Sequence, residues 1–257
     1  MLELPLHFTT TPLLTIFLPY YMININKLKY YKRFRKIRRY KPEFWFLPQD
    51  NLGYLQIPKV ASRSTRIALI THFSGQDAAT FSKEKLKEFS EIHSSHVKQI
   101  NIRKQHPDAY IFSFVRHPYA RLVSCYKYFV SQPHIRNSNF SDLNPQKNSF
   151  KCHGISLDDS FDTFVEKVCD IPDSESNRHF RSQSWFLMND SILIPDFVGK
   201  LESMATDWEV LRQRFNLPAI PHVNTTPNTE FEVSERNKQL IQKRYHHDFS
   251  NFYSDQY

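Results

Sequence analysis

The chain has 257 residues, of which 40% are hydrophobic and 15% aromatic, a composition typical of a globular fold and not of a disordered chain. Its length suits one large domain, with or without a tail. The net charge of +8 arises within residues 1–41, where nine Lys and Arg accompany one acidic residue, so that the rest of the chain has 25 basic and 25 acidic residues. This even balance argues against a nucleic-acid-binding surface on the body of the protein.

Residues 1–45 are predicted to form an N-terminal arm, apolar at first and then basic. Residues 8–26 carry no charge, but their prolines, threonines and asparagines argue against a firm transmembrane assignment. In residues 27–41, apolar side chains recur every three residues among nine cations, a pattern suited to an anionic membrane surface. Two alternatives stay open: peripheral membrane contact through residues 11–41, and a solvated arm packed on the domain.

Residues 46–257 are predicted to form a single domain in which strands alternate with helices. The predicted strands are residues 54–57, 109–115 and 196–200. The predicted helices are residues 64–72, 83–89, 118–130, 161–168, 178–188, 204–215 and 235–249. This alternation predicts an α/β fold, with a parallel sheet flanked by helices on both faces. The polar stretch 131–155 is long for a connection, which is typical of a lid, a binding loop or a disordered segment.

The first motif, IPKVASRST (residues 57–65), lies where a strand becomes a helix. A helix N-terminus presents free N–H groups to an anion; Lys59 would add a mobile charge, and Ser62, Ser64 and Thr65 would add hydroxyl donors. The segment has no glycine and differs from the GxxxxGK[ST] loop of nucleotide triphosphatases. A helix cap beside a surface lysine is the alternative.

The second motif, FVRHPYARLVSCY (residues 114–126), follows the next strand. Arg116 leaves the strand end, and Ser124 lies two turns into the following helix, so that both could bind one terminal phosphate. Arg121 could bind phosphate or form an ion pair, and Cys125 is interpreted as a core residue. Because ligands bind beyond the carboxyl ends of parallel strands, Lys59 and Arg116 are expected to share a site.

Together, in this order, the two motifs resemble those of the cytosolic and Golgi sulfotransferases. The resemblance extends to NRHFRSQ (177–183), DFVGKLESMATDWEVL (196–211) and RYHHDFSNFY (244–253). This combination is similar to the carbohydrate sulfotransferase type 2 family, which includes the chondroitin enzymes. It covers about residues 50–253 and implies a P-loop-like sulfotransferase fold.

The resemblance also implies a ligand, 3′-phosphoadenosine 5′-phosphosulfate (PAPS), which would act as a co-substrate without a metal. Transfer would go to a hydroxyl of a carbohydrate by in-line displacement. The 5′-phosphosulfate would lie against the first motif, and the 3′-phosphate against the second. The residues implied for donor binding are Lys59, Ala61, Ser62, Arg63, Ser64, Thr65, Arg116 and Ser124.

Three residues are implied for catalysis. Lys59 would stabilise the leaving phosphate. His96, in IHSSHV, resembles a functional histidine of the heparan and uronyl 2-O-sulfotransferases, although the spacing to the preceding His93 differs. His179, in NRHFRSQ, matches a family position near the acceptor and is the other candidate base. The pairs His93/His96 and His246/His247 are weak metal ligands.

Two other classes are weighed against this one. A nucleotide or sugar kinase lacks support, since the Walker lysine pattern is absent. A membrane-associated anion- or nucleotide-binding protein could retain the fold without catalysis. The three cysteines form no disulfide framework and favour a cytoplasmic location, with the Golgi membrane as the alternative in a eukaryote. Asn224 could close over the nucleotide, or could merely cap a turn.

Overall fold

The computed structural model describes residues 40–129, 153–221 and 233–254. Within them the chain forms seven strands: β1 Glu43–Leu47, β2 Leu52–Gln56, β3 Ser94–His96, β4 Tyr110–Val115, β5 Met188–Asn189, β6 Ile192–Leu193 and β7 Phe197–Lys200. Five of them form one sheet in the order β3-β1-β2-β4-β7, and β5 pairs with β6 in a separate hairpin. The pairs β2–β4 and β4–β7 are parallel, whereas β1 is antiparallel to both β2 and β3.

Nine α-helices accompany the strands. They are α1 Ser62–Ser74, α2 Lys83–His93, α3 Gln99–Gln105, α4 Pro118–Phe129, α5 Phe161–Cys169, α6 Gln183–Leu187, α7 Met204–Phe215, α8 Glu235–Arg244 and α9 His246–Phe252, all within the described ranges. All of β2, and all of β4 except Tyr110, is buried, as expected for parallel strands covered on both faces. The core therefore lies on both faces of the sheet. The carboxyl ends of the parallel strands β2, β4 and β7 lie at the same end of the sheet.

The predicted α/β fold is confirmed, with a correction to the sheet. Its centre is parallel, but β1 and β3 add antiparallel strands that the sequence patterns did not reveal. β1 also lies across the arm boundary predicted at residue 46. The helix predicted over 178–188 is only α6, because residues 177–181 form a turn in which Phe180 and Arg181 donate to the Asn177 carbonyl. The helix predicted over 235–249 is divided into α8 and α9 at Tyr245.

Several predictions lie outside the described residues. They concern the arm before residue 40, most of the 131–155 stretch, Cys152 and Asn224. Among the residues that the structure does describe, no helix combines the length and the apolar character needed to span a membrane.

Candidate active site

The loop between β2 and α1, residues 57–61, contains two residues in a conformation that usually requires glycine. Lys59 has a φ of 74° and Ala61 a φ of 55°, and left-handed backbone of this kind costs a non-glycine residue about 1–2 kcal/mol. Such strain concentrates at functional sites. Turns of this type can direct successive N–H groups into a concavity that accepts an anion. The loop thus adopts left-handed geometry without the glycines of a P-loop.

The side chain of Lys59 lies on an aromatic face, without a counter-ion in the part of the chain that the structure describes. Its Nζ is 4.2 Å from the centroid of the Tyr128 ring on α4, and no described residue forms a hydrogen bond or ion pair with it. Burial lowers the pKa of Lys59; Cys125 acts in the opposite direction, and the neighbouring Arg116 and Arg121 lower the pKa further. An anion bound here would relieve this repulsion.

The residues of the first motif that follow the loop, at the start of α1, are not equally accessible to a ligand. Ser62 and Ser64 are partly exposed in the first turn of α1. Thr65 is buried, and its hydroxyl and N–H both donate to the Ala61 carbonyl, at 3.4 and 3.1 Å. Arg63 is exposed and borders a groove between α1 and α2. The position of Arg63 at this groove and the burial of Thr65 therefore do not support a contact between either side chain and PAPS.

Arg116 follows β4 directly and is held through its backbone. Its N–H donates to Gln183 Oε1 at 2.9 Å, and its carbonyl accepts from Gln183 Nε2 at 2.8 Å. The guanidinium makes no hydrogen bond within the described residues. Burial lowers the pKa of Arg116, while Glu202 and Tyr253 act in the opposite direction. The N–H groups of the Arg116 guanidinium, at the carboxyl end of β4, therefore have no hydrogen-bond acceptor in the described part of the chain.

Ser124 is partly exposed on α4, and its hydroxyl has no partner among the described residues. Cys125, the next residue, is buried, and this burial raises the pKa of its thiol to about 12, which confirms its interpretation as a core residue. Ser124 is thus available to a ligand, whereas Cys125 is protonated and enclosed at neutral pH.

Arg121 is a structural link and not a ligand contact. It is 2% exposed, and its donors are all directed to backbone carbonyls. Nε donates to Pro58 at 3.1 Å, Nη1 to Arg181 at 2.7 Å and Nη2 to Arg178 at 3.4 Å. It therefore joins the loop before Lys59 to the turn at residues 177–181. Of the two alternatives predicted for Arg121, neither phosphate contact nor a surface ion pair fits this arrangement.

His179 and Lys59 both contact the Tyr128 ring. The His179 ring stacks on the Tyr128 ring, with the centroids 5.7 Å apart and the planes at 21°. Its Nδ1 is 2.7 Å from Asn177 Oδ1, which also accepts the His179 backbone N–H, so Nδ1 carries the proton and Nε2 a free lone pair. Burial, followed by the charges of Arg178, Lys59 and Arg121, lowers its pKa well below 6.5.

His96 has a different environment. It is exposed on β3, at the edge of the sheet. Its backbone pairs with Glu43 of β1, which in turn pairs with Gln56 at the end of β2. His96 therefore lies at the same end of the strands as the Lys59 loop, but on β3, two strands away and roughly 10 Å from β2. The structure brings Lys59, Arg116 and His179 together, and leaves His96 to one side.

Several residues of the site were not predicted from the sequence. Tyr128 lies one turn beyond Ser124, and this spacing was the available signal. The others are within segments that carried the resemblance but were not singled out: Asn177, Gln183, Glu202, Asp248 and Tyr253. Lys200, at the end of β7, lies over the Tyr253 ring at 5.0 Å.

A cavity of about 1030 Å³ lies beside α6 and the β5–β6 hairpin. Polar side chains of Gln99, Ser182, Asn189 and Asn251 line it, together with Trp185. Tyr40 also borders the cavity; burial raises the pKa of its hydroxyl, and Arg178, the residue before His179, is the strongest influence in the opposite direction. Lys59, Arg116 and His179 are not among the residues that line this cavity.

The described residues contain no group of three or more His, Cys, Asp or Glu side chains arranged to hold a metal ion. His246 and His247 are exposed, with their ring centroids 3.8 Å apart. Among the described residues, the side chains of Lys59, Arg116 and His179 line the site, and Glu202 and Tyr253 act on the pKa of Arg116.

Lys59 and Arg116 lie at the carboxyl ends of adjacent parallel strands, which is where α/β proteins bind their ligands, and neither side chain has a hydrogen-bond partner among the described residues. The model of the sulfotransferase family matches residues 42–254, most of the chain, and the protein belongs to that family. Membership supports sulfuryl transfer as the class of reaction. The match begins next to β1, in agreement with the start of the sheet. Neither a curated protein nor a solved structure matched the chain.

Proposed function

We propose that the protein transfers a sulfuryl group from PAPS to a hydroxyl of a carbohydrate. The main supporting observation is that Lys59 and Arg116 follow the adjacent strands β2 and β4 and lie close enough for the charge of Arg116 to lower the pKa of Lys59. Neither side chain has a hydrogen-bond acceptor among the described residues. Burial lowers the pKa values of both side chains, and the charges of Arg116 and Arg121 lower the pKa of Lys59 further, which favours a ligand that carries negative charge at two places.

The two ends of PAPS fit the two parts of this site. The left-handed loop at residues 59–61 and the Lys59 ammonium would hold the 5′-phosphosulfate, with Ser62 and Ser64 at the helix N-terminus. The Arg116 guanidinium and the Ser124 hydroxyl would hold the 3′-phosphate. A nucleoside triphosphate has no charge at its 3′ position, so it would leave Arg116 without a partner.

In the proposed reaction the acceptor hydroxyl oxygen attacks the sulfur in line with the bridging oxygen of the donor. A new S–O bond forms to the sugar, and the bond between sulfur and the bridging phosphate oxygen breaks. The electron pair of that bond goes to the 5′-phosphate of adenosine 3′,5′-bisphosphate. Lys59 stabilises the negative charge that develops there. Such stabilisation by a preorganised charge is usually the largest single contribution to the rate enhancement of an enzyme.

His179 is the proposed acceptor of the hydroxyl proton. Its Nε2 lone pair is free because Asn177 holds the proton on Nδ1, and its lowered pKa keeps the ring neutral at pH 7. His96 is the alternative base, and would have to act across the width of β1. The cavity beside Tyr40 and Trp185 has the volume and the polar lining for an acceptor sugar.

Thermal unfolding tests the donor site. Adenosine 3′,5′-bisphosphate at a hundred times its dissociation constant should stabilise the wild type by about 2.7 kcal/mol, or roughly 5–10 °C for a domain of this size. Arg116→Ala should lose the shift, while Arg236→Ala, an exposed arginine on α8, should keep it. An equal shift with ATP, or no shift, would exclude PAPS as the donor.

Turnover separates the enzyme from the anion-binding alternative. The protein is incubated with PAPS and a panel of polysaccharides, and release of the bisphosphate is followed together with sulfation. Bisphosphate binding without transfer to any carbohydrate would favour a protein that kept the fold and lost catalysis. Peripheral membrane contact through residues 11–41 and a cytoplasmic location stay predictions, which vesicle sedimentation and cell fractionation would test.

A further inference from the structure

The last turn of α4 brings one side chain, Tyr128, against two residues of the proposed reaction. The Nζ of Lys59 lies 4.2 Å from the centroid of the Tyr128 ring. The His179 ring stacks on the same side chain, with the centroids 5.7 Å apart. Tyr128 therefore contacts both the cation assigned to the leaving phosphate and the base assigned to the acceptor proton.

The spacing along α4 explains this placement. Positions 121, 124, 125 and 128 follow the pattern i, i+3, i+4 and i+7, which places their side chains on one face of the helix. From this face Arg121 donates to the carbonyl of Pro58, in the loop that follows β2. The face of α4 that is directed toward this loop therefore has the Tyr128 ring at its C-terminal end.

Core packing does not account for Tyr128. The residue is 36% exposed, whereas Tyr126 and Phe129, its neighbours on α4, are buried. A ring that is open to solvent contributes less through the burial of apolar surface than an enclosed one. The Tyr128 hydroxyl forms no hydrogen bond with another residue in the described ranges. What this side chain supplies is therefore its aromatic contacts with Lys59 and His179.

The first of these contacts orders the Lys59 side chain. Burial and the charges of Arg116 and Arg121 lower the pKa of Lys59, so its surroundings disfavour the ammonium. The face of an aromatic ring attracts an ammonium, most strongly where water is excluded. An ammonium has three N–H donors, so contact with the ring leaves others for an anion. A side chain that is ordered before the ligand arrives loses less entropy on binding.

The second contact keeps water from His179. Burial is the largest cause of the lowered pKa of this histidine, and the stacked Tyr128 ring is part of that burial. The charged groups that act on the imidazole are Arg178 in its own turn, Lys59 in the β2–α1 loop and Arg121 on α4. All three lower its pKa. Removal of the ring would admit water, and the pKa of His179 would then rise toward its ordinary value.

We propose that Tyr128 is a positioning residue for sulfuryl transfer: its ring orders the Lys59 ammonium for the leaving phosphate and shields the His179 imidazole from water. This inference rests on the proposed function, since it concerns the two residues to which that function assigns the developing charge and the proton. A single side chain thereby prepares both ends of the displacement, although it does not itself contact the reacting atoms.

The first experiment follows the titration of His179 by NMR, with its signal assigned by its absence from His179→Asn. The pKa of His179 should stay well below 6.5 in the wild type and in Tyr128→Phe, which keeps the ring, and should rise toward 6.5 in Tyr128→Leu. Tyr119→Leu is the control and should match the wild type, because Tyr119, a half-buried residue of the same helix, packs on Phe161.

The second experiment measures binding of adenosine 3′,5′-bisphosphate by calorimetry. Tyr128→Leu should bind it about three- to tenfold more weakly, because the Lys59 side chain must then be ordered by the ligand. Tyr128→Phe and Tyr119→Leu should bind it as the wild type does. The expected pattern, a change in both measurements that phenylalanine prevents, is one that a general loss of stability would not produce.

A His179 titration in Tyr128→Leu that matches the wild type would overturn the proposal, and so would equal, measurable bisphosphate affinities in the wild type and Tyr128→Leu. If Tyr128→Leu does not fold, Tyr128→Met, which also lacks a ring, takes its place. If the wild type does not bind the bisphosphate, the proposed donor fails, and the titration of His179 alone then decides whether Tyr128 shields the imidazole.

Discussion

Gln183 binds both backbone groups of Arg116, with hydrogen bonds of 2.9 Å from the Arg116 N–H and 2.8 Å to its carbonyl. Gln183 is in turn fixed by Asp248, whose buried carboxylate accepts the backbone N–H groups of Gln183 and Ser184 at 2.8 and 2.7 Å. Asp248, which lies on α9, thus caps the N-terminus of α6. The direction in which Arg116 leaves β4 is therefore set by residues more than sixty positions away.

Gln183→Met should destabilise the protein and weaken donor binding together. The side chain keeps its volume, but two backbone groups of Arg116 lose their partners, at about 1–3 kcal/mol each for buried groups. We expect a loss of about 2–4 kcal/mol in urea unfolding, and weaker binding of adenosine 3′,5′-bisphosphate. The exposed Gln213→Met on α7 is the control and should stay within about 0.5 kcal/mol of the wild type. Unchanged unfolding of Gln183→Met would contradict this role.

Arg121→Lys should be more damaging than a conservative exchange suggests. Lysine keeps the charge but cannot reach the carbonyls of Pro58, Arg178 and Arg181 at once. We expect a loss of about 2–4 kcal/mol in the free energy of unfolding. If Arg121 were instead a phosphate ligand, the exchange would weaken bisphosphate binding and leave the stability of the free protein unchanged, so the two measurements distinguish the roles.

The sequence was sufficient for the centre of the fold because local patterns determine it. β4 is apolar except for Ser113 and is bounded by residues that end strands, and α7 has the predicted bounds. The sequence did not predict β1, because it contains the charged residue Glu43, whose Oε2 accepts a hydrogen bond from Gln56 Nε2 at 2.8 Å. It did not predict β3, because that strand is only three residues long and all three are polar. Their strand character depends on pairing with distant residues, which periodicity in one segment does not report.

The site was predictable in its motifs but not in its contacts. The spacing placed Lys59 and Arg116 at the ends of adjacent strands, and the structure agrees. The sequence could not choose between His96 and His179, because both are histidines in short polar segments. Burial against Tyr128 and the hydrogen bond to Asn177 distinguish His179, and both depend on tertiary packing.

His179→Asn tests the proposed base. Asparagine can still donate to Asn177 near the former Nδ1 position, but has no basic nitrogen, so turnover should fall by about 10²–10⁴-fold. Bisphosphate binding should be retained, since His179 is not among the donor ligands. His96→Ala is the matched comparison and should retain most of its activity. The reverse pattern, with His96→Ala inactive and His179→Asn active, would make His96 the base.

Asn177→Asp should change the pH dependence of turnover without removing the base. A carboxylate next to Nδ1 stabilises the imidazolium and so raises the pKa of His179. Because the neutral ring is required, activity is lost as the pH falls through that pKa, and the acidic limb of kcat/KM should move to higher pH in Asn177→Asp. An unchanged acidic limb would show that His179 does not control it.

The stability of the free protein should depend on pH through the same histidine. Burial, with the charges of Arg178 and Lys59, lowers the folded-state pKa of His179 well below the ordinary value of 6.5. The unfolded chain therefore binds this proton more readily, and the stability present above pH 6.5 is lost as the pH falls below it, by up to about 1.4 kcal/mol per pH unit. Burial lowers the pKa values of His153 and His117 as well, so the wild type has a background slope of the same sign.

The contribution of His179 is isolated by comparing urea unfolding of the wild type and His179→Asn between pH 7.5 and pH 5. The two free energies of unfolding should differ by a constant above pH 6.5. Below it the wild type should lose stability faster, because the variant has no group at this position to protonate in the unfolded state. Parallel curves down to pH 5 would mean that His179 takes up a proton as readily in the folded protein as in the unfolded chain, and its assignment as a neutral base would be wrong.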